Sequence, residues 1–138
     1  MLKHFLVLKT VISFIIPYVI LYAIYIQLNG EASPGGGFQA GVIFASSIIG
    51  FDLIGGKAAF GGAKTLIICA VLGVLLYAST GLVSFLSDDN YLNYDSINPQ
   101  NATIGQHIGI FSIELGVGLT VASIMCLIYL SLREEGDV

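Results

Sequence analysis

Glu114 is an acid inside an apolar run that extends from about Ile104 to Leu132. It lies about ten residues in from one end, or roughly 15 Å at helical rise. That depth is near the middle of a lipid bilayer, where a carboxyl facing lipid is costly and must be neutral or compensated. Loss of water favours its protonated form. His107 lies seven residues earlier on the same helical face and would hydrate or charge the approach to it. Tyr77, in another apolar run, falls at similar depth, and its hydroxyl is a possible donor to the carboxylate. Together these residues offer proton or cation chemistry: a polar point beside a proton or sodium path, with a transient Na+ near Glu114. The same residues also suit a packing role, in which a neutral Glu114 hydrogen-bonds a facing helix and holds two subunits in register.

A second polar pair is Lys9 and Asp52. Each lies about one turn inside an apolar run, at the same end if the two helices are antiparallel. They either pair, relieving the cost of two charges at that depth, or each snorkels to the interface. Other features carry no chemistry. Cys69 and Cys126 lie deep in apolar runs and behave as small apolar residues. Residues 56–65, GKAAFGGAKT, superficially suggest a phosphate loop, but Gly62 and Ala63 separate Gly61 from Lys64, and no strand precedes them. Asn101-Ala102-Thr103 fits a glycosylation triplet that is common by chance. No nucleophile–base pair, metal cluster or cofactor motif is apparent, so an independent enzyme is not expected. No basic patch points to nucleic acid.

The elements that must position these residues follow from composition. Of 138 residues, 56% are hydrophobic and 10% charged, with net charge −4. Too little charge is present to cover a soluble domain. Apolar runs at about 5–28, 38–54, 65–86 and 104–132 each approach the length that crosses a bilayer. The expectation is an all-α integral membrane protein of four transmembrane helices, forming a single transmembrane domain over 1–138. The first run follows Lys3 and His4, but it is long for a signal peptide and no A-x-A site follows it, so it reads as a retained span. Pro17 inside it predicts a kink. The basic residues Lys3, Lys9, Lys57, Lys64 and Arg133 all fall on one side of such a layout. The first and third connections carry only Glu31, Asp88, Asp89 and Asp95 as charges. Both termini and the middle connection are therefore expected in the cytoplasm.

Helical periodicity then sorts the small residues. Gly105, Gly109, Ser112, Gly116, Thr120 and Ser123 share one stripe of the fourth run, while His107, Glu114 and Gly118 share the opposite face. Both faces need partners; four helices of one chain readily cover one, and covering both argues for neighbouring subunits. Gly37, Gly41, Ala45 and Asp52 form a stripe on the second run, where small residues permit close helix approach. Gly73, Tyr77, Thr80, Gly81 and Ser84 share a face of the third, which either lines a polar interface or packs. Pro34, Gly35, Gly36 and Gly37 read as a compact bend delivering the second helix against its neighbour. The alternative is an ion-entry lip of backbone carbonyls.

Two segments carry a family resemblance: Pro34-Gly-Gly-Gly-Phe-Gln-Ala-Gly41 and Gly109-Ile-Phe-Ser-Ile-Glu-Leu-Gly-Val-Gly118. With the four-span layout, the chain resembles the B-type subunit of the multisubunit sodium/proton antiporter, the Mrp or Mnh type, over nearly its whole length. The resemblance implies a small non-catalytic component of a bacterial or archaeal complex in the cell membrane. It would exchange Na+ for H+ in pH homeostasis, beside large proton-channel subunits related to those of respiratory complex I. It implies no cofactor. Related B-type modules occur in membrane-bound hydrogenase-like complexes, where the same chain would serve redox-driven pumping. A purely structural assembly subunit is the further alternative.

Overall fold

The computed structural model describes residues 2–31, 35–55, 61–86, 92–98 and 100–136. Pro34, Lys57, Asp88, Asp89 and Pro99 lie outside them, as do the side chains of Lys3, His4 and Ser84. Four helices account for most of the described chain: α1 (Leu2–Leu28), α2 (Gly37–Leu53), α3 (Ala63–Leu86) and α4 (Ala102–Gly136). A 3-10 turn, Tyr94–Ile97, precedes α4. Three of the helices, over Phe5–Leu28, Ala63–Val83 and Ala102–Arg133, are long and apolar enough to cross a membrane. The remaining one, α2, is apolar but has 17 residues. It rises only about 25 Å, short of the roughly 30 Å hydrocarbon core.

Local chemistry sets the helix ends. Gly36 takes a left-handed φ of 86° before α2, a conformation that glycine adopts without steric cost. Its carbonyl accepts the Ala40 N–H at 3.1 Å. At the far end, Gly55 has φ 80° and donates its N–H to the Asp52 carbonyl at 2.9 Å, terminating the helix in the manner expected of a C-terminal glycine. Asn101 caps α4 by accepting the Ile104 N–H on its side-chain oxygen at 3.4 Å. Pro17 lies within α1, which continues through it.

The bundle is organised around α4, which packs most extensively on α3 and then on α2, while α1 leans chiefly on α2 and barely touches α4. This arrangement corrects the expectation that one chain covers only one face of α4 and leaves the other to neighbouring subunits. The stripe with Gly116 and Thr120 receives α3. The face with Glu114 and Gly118 receives α2. Gly109 is covered by the Tyr94 ring and Gly105 by the Tyr94 backbone, both from the 3-10 turn. α3 runs antiparallel to α4 on one side and α2 runs parallel to it on the other, so one chain covers both of these faces.

Small residues make these contacts close. A methyl on Gly41 would stand 2.6 Å from the Gly118 carbonyl oxygen, and one on Gly116 would stand 2.7 Å from the Gly73 carbonyl oxygen. Backbones therefore meet directly at both seams, with dispersion contacts and interhelical packing in place of a water-driven core. Buried hydroxyls are satisfied within their own helices: Ser47 donates to the Phe44 carbonyl and Ser123 to the Leu119 carbonyl. Thr120 also reaches across the seam to the Ala70 carbonyl at 3.3 Å. Large apolar side chains such as Phe14, Leu21, Leu75 and Phe85 point outward. That inside-out distribution suits lipid or neighbouring helices rather than water.

Candidate functional site

The Glu114 carboxyl lies where the start of α2 and the end of α1 meet α4. Three glycines enclose it. A methyl on Gly30 would be 2.6 Å from Glu114 Oε1, and one on Gly36 would be 2.8 Å from the same atom. Gly37 sits directly on the Glu114 backbone carbonyl. Each missing side chain is thus the space that the carboxyl or its backbone occupies. Gly35 lies beside them against Ile26 of α1, and Gly41 continues the seam one turn further along α2. The bend of Gly35 to Gly37 therefore delivers α2 tightly onto α4; Pro34 lies outside the described residues.

Outward from Glu114, the His107 ring approaches the Glu31 carboxylate through Nδ1, forming a pair between α4 and the connection that follows α1. The two side chains are 59% and 39% exposed, so this pair is open to solvent. Glu31 follows Gly30 directly and also acts electrostatically on Glu114. His107 and Glu114 thus lie at one end of the α2–α4 seam, with Glu31 on the loop whose Gly30 touches Glu114. From the sequence alone, Glu31 reads only as a loop charge. Its position beside Gly30, two residues after Asn29 at the end of a span, was the available signal.

Tyr77 stands elsewhere. Its backbone packs on Gly116, and its side chain lines a crevice of about 200 Å³ with Val74, Val117, Thr120 and Val121. That crevice lies between α3 and α4, whereas Glu114 meets α2. The two residues match in depth but belong to different seams, so the expected hydroxyl–carboxylate contact is not made.

The opposite end of the α2–α4 seam carries a second polar cluster. Asp52, 11% exposed, accepts hydrogen bonds on Oδ2 from the Tyr129 hydroxyl and from Arg133 Nη1, both at 2.6 Å. Lys9, for which pairing and snorkelling are the two expectations, makes no ion pair with Asp52, which Arg133 engages instead. Tyr129 and Arg133 are four residues apart and share a face of α4, so they arrive together at the end of α2. Lys9 instead places its ammonium 4.0 Å from the point where Gly55 would carry a methyl, beside the carboxyl end of α2. A cation there complements the helix dipole. Both ends of α2 are thereby fixed to α4, by glycine packing around Glu114 at one and by an ion pair at the other.

Among the described residues, no three His, Cys, Asp or Glu side chains are grouped as a metal site would require. What the arrangement offers is a carboxyl enclosed by backbone, with an imidazole and a second carboxylate on its exposed side. Such a group suits proton or monovalent cation exchange, or tight interhelical registration.

The fold and this polar seam define a polytopic helical membrane protein with an acid at one end of its α2–α4 seam, and comparison with known proteins specifies the class further. The family described as "Domain related to MnhB subunit of Na+/H+ antiporter" matches residues 7–127, and the chain belongs to that family. It is similar to the B-type subunit of the Na(+)/H(+) antiporter of Bacillus subtilis (strain 168), with 30% identity over 136 residues and 94% of each chain covered. It is also similar to the protein of the same name in Alkalihalophilus pseudofirmus, with 29% identity over 127 residues, covering 83% of this chain and 85% of that one.

Proposed function

We propose that this chain is the B-type subunit of a multisubunit Na+/H+ antiporter in a bacterial cell membrane, and that it contributes Glu114 to an ion path completed by a neighbouring subunit. The family and the two relatives, both named as B-type antiporter subunits, support the first part. One observation carries the second: an acid set in the span-length helix α4, enclosed by Gly30, Gly36 and Gly37 and approached by a solvent-open His107–Glu31 pair. In this reading both termini and the α2–α3 connection face the cytoplasm, following the basic residues. Glu31 and His107 then face outward, and Asp52 with Arg133 lies at the inner interface. The subunit has no catalytic role of its own. Its partners are the other antiporter subunits, including the large proton-channel subunits, and the transported ions are H+ and Na+.

A second reading is favoured by the glycine contacts themselves. Glu114 fits its enclosure so closely that it also serves as a lock between the α1–α2 connection and α4. Glu114→Gln separates the two, since it keeps size and hydrogen bonding but removes titration. Antiport is measured in everted vesicles across the working pH range, normalised to assembled complex. The ion-path reading expects normal assembly with transport depressed or its pH profile displaced. Assembly and transport equal to the parent at every pH would leave only the packing role.

A further inference from the structure

We infer that Glu31 relays protons between His107 and Glu114, so that the loop after α1 is a working part of the path and not only its cover. The inference rests on the proposed ion-path role of Glu114. His107 and Glu114 are seven residues apart on α4, or about 10.5 Å along its axis. Direct proton transfer needs groups within hydrogen-bond reach, roughly 2.6–3.2 Å. A relay between them therefore needs an intermediate, and the fold supplies one. Glu31 contacts His107 Nδ1 through Oε2. Its preceding residue, Gly30, lies on the Glu114 carboxyl with no side chain between. Glu31 thus hangs from the backbone that touches Glu114 while its head group holds His107, and rotation about its side-chain bonds is what carries the head group between them.

The surrounding polar groups leave this role to Glu31. Asp95, near His107 on the other connection, is engaged by Gln106 Nε2 at 2.7 Å. Gln27 of α1 lies against Gly118, and Gln39 of α2 lies near Gly35; neither side chain titrates. Tyr77 of α3 belongs to the other seam. Beyond Glu114 the α2–α4 seam closes at Gly41 on Gly118, where there is no room for a methyl and hence none for water. The relay therefore ends at Glu114, and onward transfer belongs to a neighbouring subunit.

Protons and charge balance at each transfer. A proton leaves protonated His107 at Nδ1 and binds the Glu31 carboxylate, giving neutral imidazole and a carboxylic acid. Glu31 then turns and passes that proton to the Glu114 carboxylate, becoming an anion again. His107 regains a proton from water. Sodium exchange at Glu114 would displace the same proton.

The test uses the whole antiporter complex in vesicles, with rates normalised to assembled complex. Glu31→Gln should assemble and lose roughly tenfold or more of its antiport rate, the scale of a lost proton-transfer group. Glu31→Asp, which keeps the carboxyl, should recover much of it. His107→Gln should lower the rate less than Glu31→Gln does and displace its pH profile, because a part-exposed Glu31 still takes protons from water. A Glu31→Gln complex with the parent's rate and pH profile overturns the relay. If Glu114→Gln is inactive at the same time, only the relay fails; if Glu114→Gln is also like the parent, the ion-path reading fails with it. Where Glu31→Gln does not assemble, the parent complex is coupled to glycine methyl ester with a water-soluble carbodiimide, and occupancy is mapped by peptide mass spectrometry. Transport lost in step with Glu31 occupancy supports the relay. Transport that survives full coupling of Glu31, or follows other carboxyls instead, overturns it.

Discussion

The α2–α4 seam predicts opposite outcomes for one substitution at two glycines of the same helix. At Gly37, the methyl of alanine would stand 2.0 Å from the Glu114 carbonyl oxygen and 3.0 Å from the Glu114 Cα. Both are backbone atoms, so no side-chain rotation relieves the overlap. Reaching ordinary contact, about 3.4 Å, requires the helices to separate by roughly 1 Å or more, and overpacking of this kind costs about 1–3 kcal/mol. Separation at that point also loosens the enclosure of Glu114 and strips contact from Gly41 and Gly118 below it. At Gly50, on the same helix, nothing lies within 4 Å of the added methyl. There, alanine restores helix propensity worth about 0.5–1 kcal/mol. Gly37→Ala should therefore lower the yield of assembled complex on native gels and reduce its thermal stability in detergent, while Gly50→Ala matches or exceeds the parent. Equal behaviour of the two variants would refute the packing argument. Full assembly of Gly37→Ala with transport lost would point instead to the ion-entry lip.

Two further outcomes follow from the polar ends and from the charge distribution. Arg133→Ala leaves the largely buried Asp52 with Tyr129 alone, a loss between the roughly 0–1 kcal/mol of an exposed pair and the 3–5 kcal/mol of a buried one; a double-mutant cycle with Asp52→Ala, read as thermal stability of the complex, should show positive coupling, whereas Lys9→Ala should not couple to Asp52→Ala. For topology, a cysteine replacing Asp95 should react with an impermeant thiol reagent in intact cells and one replacing Lys57 should not, and the reverse pattern would overturn the orientation.

The elements were legible in the sequence because membrane helices are marked by uninterrupted apolar length, and α1, α3 and α4 have it. Length was less decisive for α2, whose 17 residues rely more on close packing to α4. Periodicity correctly separated the two faces of α4, since Gly116 and Glu114 differ by two residues and so by about 200°. It could not say which helix covers which face. That depends on how the connections place α2 and α3 about α4, and periodicity alone does not show that these two helices take one face each. Depth placed Asp52 near the end of its helix, but depth alone does not choose a partner. Arg133 prevails over Lys9 because it shares a face of α4 with Tyr129, and its planar guanidinium suits a carboxylate. The Glu31–His107 pair joins residues 76 apart in sequence, a distance over which no local pattern operates.

These placements also bear on where partners can attach. The Gly116 face of α4 is covered by α3 and its Glu114 face by α2, and α2 is held between α4 and α1. Large exposed apolar side chains lie on α1, with Phe14, Tyr18, Leu21 and Tyr22, on α3, with Leu72, Leu75, Leu82 and Phe85, and on the remaining surface of α4, with Ile108, Phe111 and Ile128. A closed seam at Gly41 and Gly118 denies Glu114 an exit through the chain toward Asp52. Any ion that reaches Glu114 must therefore return the way it came or leave sideways, past α1 or across the open edge of the α2–α4 seam. A groove of about 320 Å³ runs there, lined by Ala23, Ile24, Phe44, Leu115 and Leu119, with Gln27 among them. Its walls are almost wholly apolar, so it offers packing surface rather than a water path. An exit route for protons consequently requires polar groups supplied by a neighbouring chain, which ties any transport role of Glu114 to assembly of the complex.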